Sequence, residues 1–164
     1  MRKLALLFGI LLLPLGAHAQ GYSIYGGYSH VHLDSFPKAA SLNGWDVALT
    51  DNFARVVGVT VDLSGTYGTI NGVSGSNFHS FLFGPQLRFP ARVSPFARVL
   101  IGGVHVGGGG TSATSLAWGF GGGVDIHLAK FVSLRPIQID YIHSRFSNAG
   151  QSNVRISLGL VVNF

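Results

Sequence analysis

The chain reads as an all-β protein: an eight-stranded antiparallel up-and-down transmembrane β-barrel. Three observations predict this. Apolar and polar residues alternate with a period of two through most of the sequence, the pattern of strands with two unlike faces. In segment after segment, a bulky apolar face opposes one of small, polar and charged residues. Composition adds a third sign: 47% of residues are hydrophobic and only 10% are charged, where a soluble domain carries about a quarter charged. Yet after residue 20 no stretch has the roughly 18 consecutive apolar residues that a membrane-spanning helix needs.

Eight segments carry the alternation: 21–32, 44–50, 55–67, 77–89, 95–106, 115–128, 132–146 and 152–164. In the second, Trp45, Val47 and Leu49 oppose Asp46, Ala48 and Thr50. In the third, Val57, Val59, Val61, Leu63 and Tyr67 oppose Gly58, Thr60, Asp62, Ser64 and Thr66. The fourth sets Phe81, Phe83, Leu87 and Phe89 against Ser80, Gly84, Gln86 and Arg88. In the fifth, Ala97, Val99 and Ile101 form the apolar row, which turns Arg98 to the other side. The sixth sets Leu116, Trp118, Phe120, Val124, Ile126 and Leu128 against Ala117, Gly119, Gly121, Gly123, Asp125 and His127. The eighth sets Val154, Ile156, Leu158, Leu160, Val162 and Phe164 against Arg155, Ser157, Gly159 and Asn163.

The seventh segment, SLRPIQIDYIHSRF, breaks step. Ile137, Ile139 and Tyr141 share one face and Gln138, Asp140 and Ser144 the other, but strict parity would put Arg135 with the apolar row. Pro136 cannot donate to a strand ladder, and a bulge beside it would turn Arg135 to the polar face. The bulge is the reading adopted, in preference to an outward Arg135 snorkelling at the headgroups.

An eight-stranded barrel has an interior just wide enough for side chains. Rows of Phe, Trp, Val and Leu would overfill it, so the bulky row faces lipid and the small and charged row faces the lumen. The lumen then receives Asp62, Asp125, Asp140, Arg98 and Arg155 at mid-strand, Arg88 nearer a turn, Asp46 nearer a loop, and Arg135 through its bulge. Isolated buried charges are prohibitively costly, so these groups are expected to form a paired Asp/Arg network.

The connections alternate in length. Residues 51–54, 90–94 and 129–131 are short, whereas 33–43, 68–76, 107–114 and 147–151 are longer and rich in Gly, Ser and Asn. Aromatic residues gather at strand ends, with Trp45, Tyr67, Phe78, Trp118 and Tyr141 toward the long-loop side and Tyr22, Phe89, Phe131 and Phe164 toward the short-turn side. Two such levels are the aromatic girdles of a membrane barrel.

Residues 1–19 read as a secretory signal peptide: Arg2 and Lys3, the apolar run from Leu4 to Leu15, then Ala17-His18-Ala19 as a small-x-small cleavage site. The barrel domain is 20–164. The formal charge of +5 includes Arg2 and Lys3, and the remaining arginines are scattered rather than clustered as nucleic-acid binding requires. With no cysteine, an exported chain has no disulfides and must close its structure in another way.

Catalytic and metal chemistry find little support. The lumen aspartates are committed to arginines, there is no glutamate, and His79-Ser80 and His143-Ser144 are strand neighbours whose side chains point to opposite faces. No catalytic residue, cofactor or metal ligand is assigned. His30, His32, His79, His105 and His143 all fall near the long-loop ends, where His30-x-His32 has a plausible ligand spacing, but they read as polar tips at headgroup level. The glycine runs at 107–110 and 119–123 precede no helix, so they are not phosphate cradles.

These segments together resemble the OmpA-type eight-stranded outer-membrane β-barrel domain of Gram-negative bacteria. The carriers are YSIYGGYSH at 22–30, FLFGPQLRF at 81–89, SPFARVLIGG at 94–103, WGFGGGVDIHL at 118–128, LRPIQIDY at 134–141, and the closing strand ending at Phe164. The resemblance implies location in the outer membrane, a periplasmic N-terminus and short periplasmic turns. It also implies outer-membrane lipids as surroundings, with periplasmic chaperones and the barrel-assembly machinery as partners in biogenesis. Phe164, with Leu160, Leu158 and Ile156, matches the C-terminal signal which that machinery reads. With the sequence closing on Phe164, the peptidoglycan-binding domain that many members append is not expected, nor is cell-wall tethering. The expected protein is a monomeric structural or surface-exposed barrel with a plugged lumen. The alternatives are a small pore or a loop-mediated adhesin or ligand-binding barrel, with a lipid-modifying enzyme behind them.

Overall fold

Period-two alternation becomes eight strands: β1 (Tyr22–Asp34), β2 (Ala40–Asp51), β3 (Val57–Ile70), β4 (Val73–Arg88), β5 (Val93–Gly108), β6 (Thr111–Ala129), β7 (Val132–Phe146) and β8 (Ala149–Asn163). The structure is a computed structural model describing residues 21–34, 40–70, 73–146 and 149–164; the expected signal peptide lies outside the described residues. Each strand pairs antiparallel with its chain neighbour, and β1 pairs with β8 from Ser23↔Asn163 to Asp34↔Ser152. The sheet is thereby a closed barrel, with no strand edge left unpaired.

The faces divide by parity. Phe81, Ile101, Phe120 and Leu158 are about half exposed on the outer wall, while Ser80, Arg98, Gly119 and Arg155 on the opposite parity are buried in the lumen. An apolar wall this continuous is far larger than the patches of a few hundred Å² that soluble monomers expose. No helix among the described residues is long and apolar enough to cross a membrane.

The strands run further than the alternation suggested, and this corrects the expected asymmetry of the connections. The expected loop at 107–114 is a hairpin that pairs as far as Gly108↔Thr111. Its two-residue tip, Gly109 and Gly110, has φ values of 59° and 80°, a left-handed pair that glycine adopts without steric cost and that matches strand twist. The expected loops at 33–43 and 68–76 are likewise shortened by strand residues at both ends, and that at 147–151 by the start of β8 at Ala149. Glycine and serine made these stretches look like loops, but ladder hydrogen bonds do not require bulky side chains.

Two further expectations are corrected by the same extension. Asp46 lies in the middle of β2 rather than near a loop, because β2 starts at Ala40. Phe78 is not in an aromatic girdle: it is fully buried in the lumen, sharing parity with Ser80, Leu82 and Gln86. It belongs to an inward apolar cluster with Val31, Leu33, Ala40, Leu42, Leu82, Leu100, Val104, Ala117 and Ile142. The lumen is therefore layered, apolar in the half away from the chain ends and charged through its middle.

Candidate functional site

The charged layer is built by strands that each contribute one or a few inward positions. Arg98 on β5 is held bidentately by Asp140 on β7, with Nε–Oδ1 at 2.9 Å and Nη2–Oδ2 at 2.8 Å. Its Nη2 also stands 2.8 Å from Asp62 Oδ2 on β3. Arg155 on β8 donates from Nη1 and Nη2 to the two oxygens of Asp62 at 2.8 and 3.0 Å, and from Nη2 and Nε to Asp140 Oδ2 at 2.9 and 3.2 Å. Two guanidiniums and two carboxylates thus close a ring in which every member touches both opposite charges. Arg98, Arg155, Asp62 and Asp140 are all buried, the condition under which a charge must be paired.

Asp46 and Asp125 extend the ring. Asp46 Oδ1 is 3.8 Å from Arg155 Nη1, and its Oδ2 accepts from Gln138 Nε2 at 3.0 Å. Gln138 Nε2 also donates to Asp140 Oδ2 at 3.0 Å, while its Oε1 accepts from Arg135 Nη1 at 2.6 Å. Arg135 grips both oxygens of Asp125 at 2.7 and 3.1 Å and lies between the rings of Tyr25 and Phe96, 4.5 and 4.2 Å from their centroids, a cation–π arrangement. Gln138 therefore joins the ring to the Arg135–Asp125 pair. Arg88, at the end of β4, stands 3.8 Å from Asp125.

A bulge makes this bridge possible. The β7–β8 register shifts between Arg135 and Gln138, so Pro136 and Ile137 both face outward, and Arg135 and Gln138 both face the lumen. The β6–β7 register shifts at the same level, which sets Asp125 opposite Arg135. Gln138 was legible as lumen-facing, but its bridging role depends on this irregularity. Tyr25 and Phe96, which sandwich Arg135, carried no sequence signal as site residues.

Space for the ring comes from Gly121 on β6. A Cβ there would overlap Asp140 Oδ1 and the Ile139 carbonyl oxygen. Gly121→Val is expected to lower stability by about 1–3 kcal/mol, read as a lower urea midpoint of refolded protein. Gly26, around whose Cβ position nothing lies within 4 Å, should accept alanine with no comparable loss.

The remaining candidate residues lie on the outer wall. Trp45, Tyr67 and Trp118 are exposed there in the half away from the chain ends, and Tyr141 is half-buried among them. Trp118, Phe120 and Tyr141 form a contiguous ring cluster with centroids 5.3–6.5 Å apart. Exposed Tyr28 joins this level without having been singled out. Tyr22 and exposed Phe89 lie at the opposite level, joined by Phe53, Phe131 and Phe164. Ile156, Leu158, Leu160 and Phe164 all face outward, and the Phe164 backbone N–H donates to Tyr22 O at 2.8 Å.

Five of the histidines stand on the same wall, with His79 directly opposite His105 in the β4–β5 ladder. His30 Nδ1 lies 2.7 Å from Asn43 Oδ1, His32 Nδ1 3.3 Å from Ser41 Oγ, His105 Nδ1 2.8 Å from Thr114 Oγ1 and His143 Nδ1 3.2 Å from Ser152 Oγ. His79 packs edge-on to Tyr67. Among the described residues, no three His, Asp or Glu side chains converge on one point.

No protein-family model and no curated protein sequence matches the chain. Solved structures do. Neisserial surface protein A matches with a TM-score of 0.71 at 17% identity, over 87% of this chain and 97% of that one. The attachment invasion locus protein Ail of Yersinia pestis matches with a TM-score of 0.60 at 20% identity, over 90% and 100%. The outer membrane protein OprG of Pseudomonas aeruginosa matches with a TM-score of 0.58 at 14% identity, over 89% and 96%. At these identities the likeness is one of architecture, and the chain has the fold of the eight-stranded outer-membrane β-barrels.

Proposed function

We propose that this chain is a monomeric integral protein of the outer membrane that serves as a closed structural frame carrying surface-exposed connections, and that it catalyses no reaction. The observation that carries the reading is the filled lumen inside an apolar wall. The charged ring and the inward apolar cluster occupy the interior of a barrel too narrow to spare the room, while Phe81, Phe83, Ile101, Leu158 and their neighbours face outward. Asp62, Asp125 and Asp140, which might have served as acids or bases, are committed to guanidiniums. In this reading residues 1–19 direct export, periplasmic chaperones and the barrel-assembly machinery receive the chain, and Phe164 with Leu160, Leu158 and Ile156 forms the signal read at insertion. Trp45, Tyr67, Trp118 and Tyr141 mark one headgroup level, and Tyr22 and Phe89 the other.

Two measurements test this. The protein should fractionate with the outer membrane and migrate faster on SDS gels unheated than boiled. Protein in planar bilayers should show no steady single-channel conductance. Recovery in the soluble fraction after export would overturn the lipid-facing assignment, and stable unitary currents would replace the plugged frame with a pore.

A further inference from the structure

We propose that the mouth of the barrel beside the chain ends is a binding site for a phosphate group. A hollow of about 400 Å³ opens there, with Arg55, Arg88, His127 and Lys130 on its wall beside Asn52 and Asn163. Among the described residues, none lining it is an aspartate or glutamate. The cations arrive from separate parts of the barrel: Arg55 from the connection between β2 and β3, Arg88 from the end of β4, and Lys130 from the connection between β6 and β7. A concave surface lined by one sign of charge concentrates the opposite ion.

Arg88 is the anchor. Deeper in the lumen, the other arginines are held by carboxylates at hydrogen-bonding distance, and Arg135 occupies both oxygens of Asp125. Arg88 has only the margin of that aspartate, 3.8 Å away, and its side chain remains 14% exposed. Its Nη2 donates to His127 Nε2 at 3.2 Å. Accepting that bond leaves the His127 ring proton on Nδ1, which faces Ser133 Oγ at 3.4 Å. His127 is thus a positioning residue that fixes the plane of the guanidinium, and a fixed guanidinium fork matches two phosphate oxygens.

The phosphate has two possible sources, a free ion or a phospholipid headgroup. Lys130 Nζ lies 5.4 Å from the centroid of the exposed Phe131 ring, which sets one cation of the hollow at the level of the surrounding aromatic residues. The hollow and its charge do not depend on the membrane reading; only the lipid source does.

Calorimetric titration of membrane-purified protein in a neutral detergent with inorganic phosphate, at constant ionic strength set by chloride, tests the free ion. Native mass spectrometry after exchange into phosphatidylglycerol or phosphatidylcholine tests the headgroup. Saturable phosphate heat, or selective retention of phosphatidylglycerol, supports the site and identifies the source. Arg88→Gln and the double variant Arg55→Gln/Lys130→Gln should each weaken the retained ligand by about tenfold or more. Arg92→Gln, which removes an exposed charge outside the hollow, should leave binding unchanged. Barrel integrity in each variant is read from the gel shift between unheated and boiled samples. The proposal is overturned if neither ligand binds, or if Arg92→Gln weakens binding as much as the hollow variants do.

Discussion

Arg155→Leu is expected to lower the unfolding free energy of the barrel by about 3–5 kcal/mol, the range for removing one partner of a buried ion pair. The substitution strips the guanidinium from Asp62 and Asp140 and from the flank of Asp46. Among the described residues, Arg98 would be left as the one cation paired within this group of three buried carboxylates. Urea unfolding of refolded protein, followed by the fluorescence of Trp45 and Trp118, measures the loss. The cost comes mostly from stranded charge rather than from the net worth of the bonds. Removing Asp62 together with Arg155, as Arg155→Leu/Asp62→Leu, should therefore cost less than the sum of the single substitutions. An unchanged midpoint in Arg155→Leu would falsify a stabilising role for the ring.

Phe78→Ala is the second large effect, expected to cost about 3–5 kcal/mol. Phe78 is fully buried among Leu42, Leu82, Leu100 and Ile142 in the lumen, so alanine leaves a cavity that the stiff barrel wall cannot collapse to fill. Phe81, three residues on and of opposite parity, is 52% exposed on the outer wall. Phe81→Ala empties no enclosed space and should lower the midpoint clearly less in the same urea assay. Equal losses from the two would mean that the parity dividing lumen from lipid has been drawn wrongly on β4.

Phe78 also marks the limit of what was legible in the sequence. Its parity with Ser80 and Gln86 was available, yet its bulk and its place near a strand end drew it into the girdle. A face that mixes Phe78 and Leu82 with Ser80 and Gly84 shows no net polarity along one strand. Its apolar half appears only when Leu33, Leu42, Leu100 and Ile142 from other strands are brought alongside. Asp46 failed for a related reason: its distance from the strand end depended on residues 40–43, whose small and polar composition resembles a loop. Pro136 was more informative, because a residue without an N–H cannot donate to a ladder. The register shift there brings Arg135 and Gln138 onto the same side.

The sequence by itself determined the number of strands, their antiparallel succession and the division of most residues between lipid and lumen. These follow from the two-residue period of an extended backbone, a property that each strand carries alone. Only the tertiary structure decided which arginine meets which aspartate, where the lumen turns from charged to apolar, and which cations gather at the mouth beside the chain ends. Arg155 and Asp62 are 93 positions apart in the chain, and they meet because barrel closure and strand stagger set their levels jointly. Stagger belongs to the whole sheet, and no single strand encodes it.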